Sequence, residues 1–146
     1  MEQSESTRAV VQDLLQRVGA GDPTEIAKAY AENVTWTLAW PEDEFEGTVP
    51  WIRHRSTRAD VEDHYRTIAE LHVPGETTAD ISALLVNGPD AVVIGELGQT
   101  LRATGTNYRV GFMLFLTVTD GLVSRHHIVE DNLAVKRAFE GVGSGH

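Results

Sequence analysis

The strongest constraint on this chain lies in the stretch from Asn107 to Asn132. The run from Tyr108 to Thr119 is dense in β-branched and aromatic residues, and Asp120-Gly121 supplies a two-residue turn of the kind that joins antiparallel strands. A second strand, Leu122 to Asp131, follows at once. Strict alternation puts Val123, Arg125, His127, Val129 and Asp131 on one face, with Leu122, Ser124, His126, Ile128 and Glu130 on the other. One face then carries His127 and Asp131 four residues apart, a histidine and a carboxylate placed to serve one substrate. His126 points the other way, toward an interface or solvent. A hairpin of this size needs cover, and the preceding sequence supplies it.

Val10, Val11, Leu14, Leu15 and Val18 fall at helical spacing within Ser4 to Val18, and Gly19 and Gly21 end the pattern. Asp22-Pro23-Thr24-Glu25 reads as an N-cap followed by a first helical turn, opening a short helix to about Ala31. Val34, Trp36, Leu38 and Trp40 alternate as a half-buried strand that stops at Pro41. An acidic, exposed loop over Glu42 to Gly47 and an edge segment from Val49 to His54 follow. Ser56 or Thr57 caps a helix in which Val61, Tyr65, Ile68 and Leu71 repeat until Pro74-Gly75. Strands over Thr77 to Val86 and Ala91 to Ala103 precede the hairpin, making four consecutive antiparallel segments, and Leu133 to Phe139 closes the chain as a short helix. Helices first and a curled sheet afterwards is an α+β arrangement with helices over one sheet face. The concavity left beneath them is the place to look for a small-molecule site.

A length of 146 residues suits one domain, residues 1–140, with 141–146 as a flexible tail. Its 22 acids against 12 Lys plus Arg give a net charge of −10, which opposes binding to nucleic acid and to anionic membranes. The absence of cysteine removes disulfides and thiol chemistry. The polar start and the lack of a long apolar run point to a cytoplasmic location. His54, His64, His72, His126 and His127 form no metal-ligand spacing, and the glycines form no phosphate cradle, so neither metal nor cofactor is expected. Arg53-His54-Arg55 with Arg58 makes a basic patch suited to an anionic substrate group, although a solvated loop is the commoner fate of such a run.

Several local motifs, in their order and spacing, resemble the nuclear transport factor 2-like superfamily, and within it the SnoaL-like polyketide cyclases. The carriers are Gly21-Asp22, the passage Tyr30-Ala-Glu-Asn-Val-Thr-Trp36, Val49-Pro50-Trp51, and Asp120-Gly121-Leu-Val followed by Asp131-Asn132. The resemblance covers about Arg8 to Phe139. It implies a curved antiparallel sheet forming a cone, covered on its concave side by the N-terminal helices, and a homodimer through the outer sheet face, where Leu122 and Ile128 need cover. A ketosteroid isomerase of this fold would carry acids near Leu38 and near Met113 or Leu114, and a limonene-epoxide-hydrolase-like enzyme an Arg-x-Asp around Gly98 and Thr100. Neither pattern is present. The acid/base aspartate of SnoaL-like cyclases, near the end of the last strand, matches Asp131.

These readings lead to a cofactor-independent small-molecule enzyme, a cyclase, isomerase or dehydratase moving protons on a polyketide-like, terpenoid or aromatic substrate. Asp131 is the expected acid/base and His127 its partner, with Trp36, Trp40, Trp51, His54, Tyr65, Phe112 and Phe115 as expected substrate-binding residues. Asp131 also directly precedes the closing helix and suits its N-cap. The alternatives are a non-catalytic ligand-binding or scaffold protein and an epoxide hydrolase with a rearranged polar set.

Overall fold

The computed structural model describes residues 2–37, 40 and 49–140. Leu38, the acidic loop over Glu42 to Gly47 and the tail 141–146 lie outside the described residues. The element order is α1 (Glu2–Ala20), α2 (Pro23–Ala27), β1 (Tyr30–Thr37), α3 (Arg58–Leu71), β2 (Thr78–Asn87), β3 (Asp90–Thr100), β4 (Asn107–Thr119), β5 (Leu122–Glu130) and α4 (Asn132–Phe139). Thr57 and Asp60 close a reciprocal capping box on α3. Asp22 caps α2 by accepting from the Thr24 N–H. No helix among the described residues is long and apolar enough to cross a membrane.

The strands form one sheet in the order β1-β5-β4-β3-β2. The last four run antiparallel in sequence, as the turn signals predict, and Asp120 and Gly121 both take positive φ at the hairpin tip. β1 lies parallel to β5, which makes the sheet mixed rather than wholly antiparallel. The second helix stops at Ala27 instead of Ala31. Tyr30, fully buried, begins the strand, and the Val123 N–H donates to the Ala29 carbonyl beside it. Pairing with β5 thus outweighs any further helical turn.

Of the three register shifts in the sheet, the two in its antiparallel ladders bear on which side chains face the helices. Near Gly95 a Cβ would stand 2.5 Å from the Asp80 carbonyl oxygen, so glycine permits the close approach of β2 at its register shift between Ile81 and Ala83. The second shift lies between Thr117 and Val118 of β4: Val118 pairs Val123 and Thr117 pairs Arg125, leaving Ser124 as an extra residue in β5. Its hydroxyl lies 2.8 Å from the Thr119 hydroxyl and 3.3 Å from the Thr117 carbonyl. Alternation therefore changes phase at Ser124. Val123 and His126 both end up buried beneath the helices, correcting the unbroken alternation expected of this strand.

The interior divides into two apolar clusters. One gathers Val11, Leu14, Tyr30, Val61, Val93, Leu114, Leu116 and Val123 under α1 and α3; the other gathers Trp40, Val49, Trp51, Leu101, Tyr108, Val110 and Val135. Ile128 packs on the first, so it does not belong to the outer face as expected. Leu122 is partly buried and lines a cleft of about 270 Å³ with Val10 and Arg17 of α1. The outer face instead exposes Leu85, Met113, Phe115 and Val129.

Candidate functional site

His126 is the centre of the most unusual polar arrangement among the described residues. It sits between Trp36 of β1 and Leu116 of β4 in the sheet register and is only 2% exposed. Its ring stacks on the Trp36 ring with centroids 3.9 Å apart and planes within 2°. Nδ1 lies 2.9 Å from the Tyr30 hydroxyl, which in turn lies 3.3 Å from the Tyr65 hydroxyl. Nε2 is buried and has no hydrogen-bond partner. Such an atom is rare in a native interior, because a desolvated polar group without a partner costs roughly 1–3 kcal/mol.

Each neighbour is held in place by local structure. Tyr30 is fixed at the mouth of β1, where the Arg58 Nε donates to its carbonyl at 2.9 Å. His64 and Tyr65 are adjacent on α3, and the His64 ring meets Trp36 edge-on at 4.7 Å and lies 6.0 Å from His126. The Nδ1 of His64 is likewise buried without a partner. Burial, reinforced by the Arg55 charge, drives His64 down to about 3. Burial also pushes His126 well below the ordinary histidine value, with His64 and His127 adding to the fall. Both imidazoles are therefore neutral at pH 7. Burial raises Tyr30 and Tyr65 above the ordinary tyrosine value, so both hydroxyls keep their protons.

A neutral His126 has one ring proton and two places to put it. If Tyr30 donates to Nδ1, the proton resides on Nε2, which then acts as an acid. If Nδ1–H donates to Tyr30 and Tyr30 donates to Tyr65, Nε2 presents a bare lone pair, a base. The two polarities hold the same number of protons and differ in which ring nitrogen carries the hydrogen, so the row sets whether Nε2 donates or accepts.

A second tyrosine–histidine pair lies in the other cluster. The Tyr108 hydroxyl is 2.7 Å from His72 Nε2 and 3.3 Å from Gln99 Oε1, and His72 Nδ1 is 2.6 Å from the Ile68 carbonyl. Both ring nitrogens are bonded. Nearby, Trp40 Nε1 donates to Glu130 Oε1 at 3.4 Å, and burial raises the Glu130 carboxyl above its usual range.

The residues expected to act from the sequence are scattered. Asp131 is exposed, and its Oδ1 accepts the Ala134 N–H at 3.1 Å as the N-cap of α4. His127 pairs with Phe115 in the sheet and lies on the outer side, where Arg125 covers the Phe115 ring. Four strand residues span ~13 Å, so His127 and Asp131 are not within touching distance. His126, expected at an interface or in solvent, is the interior histidine. Trp36 and Tyr65 do join it, and Phe112 lies in the same apolar cluster. Trp40 and Trp51 lie in the second cluster, and His54 is exposed. Tyr30, His64 and Glu130 were not among the expected site residues. The phase change at Ser124 hides His126, and Tyr30 falls where helical propensity predicts a continuing helix. No group of three or more potential metal ligands occurs among the described residues.

The cone of bent sheet and covering helices, with polar groups gathered inside it, is the nuclear transport factor 2-like architecture. Residues 11–126 match the SnoaL-like domain, and the chain belongs to that family. No curated protein matches the sequence. Among solved structures, a nuclear transport factor 2-like protein of unknown function from Burkholderia pseudomallei K96243 is similar at 16% identity and TM-score 0.77, over 92% of this chain and 97% of that one. SalBIII, described as an epoxide hydrolase/cyclase-like enzyme in pyran ring formation in the polyether salinomycin, is similar at 18% identity and TM-score 0.69, over 92% and 97%. A Kribbella flavida DSM 17836 protein with a provisional ketosteroid isomerase name is 26% identical at TM-score 0.62, over 88% and 80%. The fold group thus includes proteins named as isomerases and cyclase-like enzymes.

Proposed function

We propose that this protein is a cofactor-independent enzyme that moves a proton on a small hydrophobic substrate, with His126 as the acid/base and Tyr30 and Tyr65 as the row that sets its tautomer. The observation that carries this reading is the buried, unpartnered Nε2 of a ring fixed on its other side. A neutral imidazole there can take a proton from a carbon beside a carbonyl and return one to oxygen or carbon, the step shared by isomerisation, dehydration and aldol cyclisation. Trp36 offers an aromatic wall beside it. The test is mass-spectrometric turnover of a panel of polyketide-like, terpenoid and epoxide substrates by wild type, His126→Gln and Asp131→Asn. Loss in His126→Gln alone supports the assignment; loss in Asp131→Asn alone returns the chemistry to Asp131.

The second reading is a non-catalytic binding or scaffold protein, favoured by one observation: Asp131, which the resemblance to SnoaL-like cyclases implies as the acid/base, is used as a helix cap. We also propose a homodimer through the outer sheet face, because Leu85, Met113, Phe115 and Val129 lie exposed on it. Sedimentation showing only a 16.0 kDa species at micromolar concentration rejects that assembly.

A further inference from the structure

Arg55, just ahead of α3, is an arginine in an unusual position. Its side chain is only 2% exposed. Nη1 donates to Asp63 Oδ2 at 2.5 Å and to the Asp60 carbonyl at 3.1 Å, which ties the guanidinium to the first turns of α3. Nε and Nη2 are buried and have no hydrogen-bond partner. These two atoms form one edge of the guanidinium, with parallel N–H groups spaced to meet the two oxygens of a carboxylate. Nη1 alone is bonded; this edge has no partner.

Burying a charged donor pair without an acceptor is costly, and proteins ordinarily supply an acceptor or leave the group in water. Here Asp63, the carboxylate to which Arg55 donates, is half in solvent, so Nη1 points toward the surface. The free edge is not matched by any such group. The Arg55 charge acts on His64, whose ring touches Trp36 and lies 6.0 Å from His126. Asp63, which holds Nη1, directly precedes His64 in α3, so Arg55 and His126 both lie close to His64.

We infer that Arg55 binds a carboxylate of the substrate through its Nε–Nη2 edge, so that the substrate class is an organic acid whose hydrophobic skeleton lies against Trp36. This inference rests on the proposed proton-transfer site and names its substrate class. A planar carboxylate fits the edge better than a hydroxyl, which can use only one of its donors, or an amide, which carries no charge. Fixing the acid group at Arg55 orients the remaining carbon skeleton toward His126.

The test uses benzoate, benzamide and phenyl phosphate as probes, with binding to the full chain followed by NMR. Benzoate is expected to bind at least tenfold more tightly than benzamide and to shift the Arg55 Nε–H signal in wild type. Arg55→Lys, which keeps the charge and removes the paired edge, should lose that tenfold preference. Equal binding of benzoate and benzamide, an unmoved Arg55 signal, preference retained by a folded Arg55→Lys, or no benzoate binding at millimolar concentration overturns the inference. A tenfold preference for phenyl phosphate overturns the carboxylate class. If Arg55→Lys does not fold, the wild-type Nε–H shift decides. Benzoate binding with no turnover of any substrate sinks the enzymatic reading and leaves this one standing; His126-dependent turnover without an Arg55 preference does the reverse.

Discussion

The Tyr108–His72 pair and the Tyr30–His126 pair are alike in composition and burial, and they differ in how far their hydrogen bonding is completed. His72 has a partner at each ring nitrogen, the Tyr108 hydroxyl and the Ile68 carbonyl. Its proton has a fixed place, and the pair joins α3 to β4. His126 has a partner at Nδ1 alone, and that partner belongs to a row whose polarity can reverse. Completion gives rigidity. Incompletion, in a place where it costs stability, leaves an atom available for a ligand or a proton.

The comparison is sharpest in activity. His126→Gln should lower turnover by roughly 10²–10⁴-fold, the range of a removed acid/base group, in a protein that still folds. His72→Gln should do the opposite, leaving turnover nearly intact while destabilising the fold. A reversal of these two outcomes in paired kinetic and denaturation measurements would exchange the roles assigned here.

Acid should weaken the fold through both pairs. Burial lowers His64, to about 3, and lowers His126 and His72 as well. Between those values and the ordinary histidine value near 6.5, the unfolded chain binds protons that the folded chain does not. The contribution is fully present above pH ~6.5 and is lost as pH falls through the folded-state values, at up to about 1.4 kcal/mol per pH unit for each histidine. Glu130, raised by burial, acts in the opposite sense and loses stability as pH rises above the usual carboxylate range. Chemical denaturation between pH 4 and 7 should show the histidine slope, and His64→Gln should flatten it.

Tyr108→Phe should cost about 1–3 kcal/mol by leaving His72 Nε2 buried without its donor. Tyr30→Phe should cost a similar amount and, unlike Tyr108→Phe, should also reduce turnover, which a combined unfolding and rate measurement resolves. The smallest effect is expected at Asp131→Asn. Asparagine caps a helix about as well as aspartate, so stability and turnover should both stay near wild type, whereas Asp131→Ala should cost about 1 kcal/mol.

Local signals in the sequence were enough for most of the fold. Helical spacing, the Asp22-Pro23 start, the Thr57 cap and the Asp120-Gly121 turn all act within a few residues, and each appears in the structure. The parallel pairing of β1 with β5 joins segments far apart in the chain and has no local signature. The candidate site was less legible for the same reason. Tyr30 and His126 meet across 96 positions, and Arg55 is buried by packing that a run of basic residues does not reveal. Trp36 and Tyr65 were legible because aromatic residues on periodic apolar faces are expected inside.

The extra residue at Ser124 also bears on how this strand is compared with its relatives. Ordinary alternation puts His126 and His127 on opposite sides of the sheet, and the one-residue offset puts His126 on the side of Val123, so a deletion at that point, with the rest of β5 held in register, changes which residues before it face inward. Alignment columns across the strand consequently record common descent without guaranteeing common orientation. A histidine matched to His126 in a chain lacking the bulge is its counterpart in ancestry, and its neighbours toward the turn occupy the opposite side of the sheet.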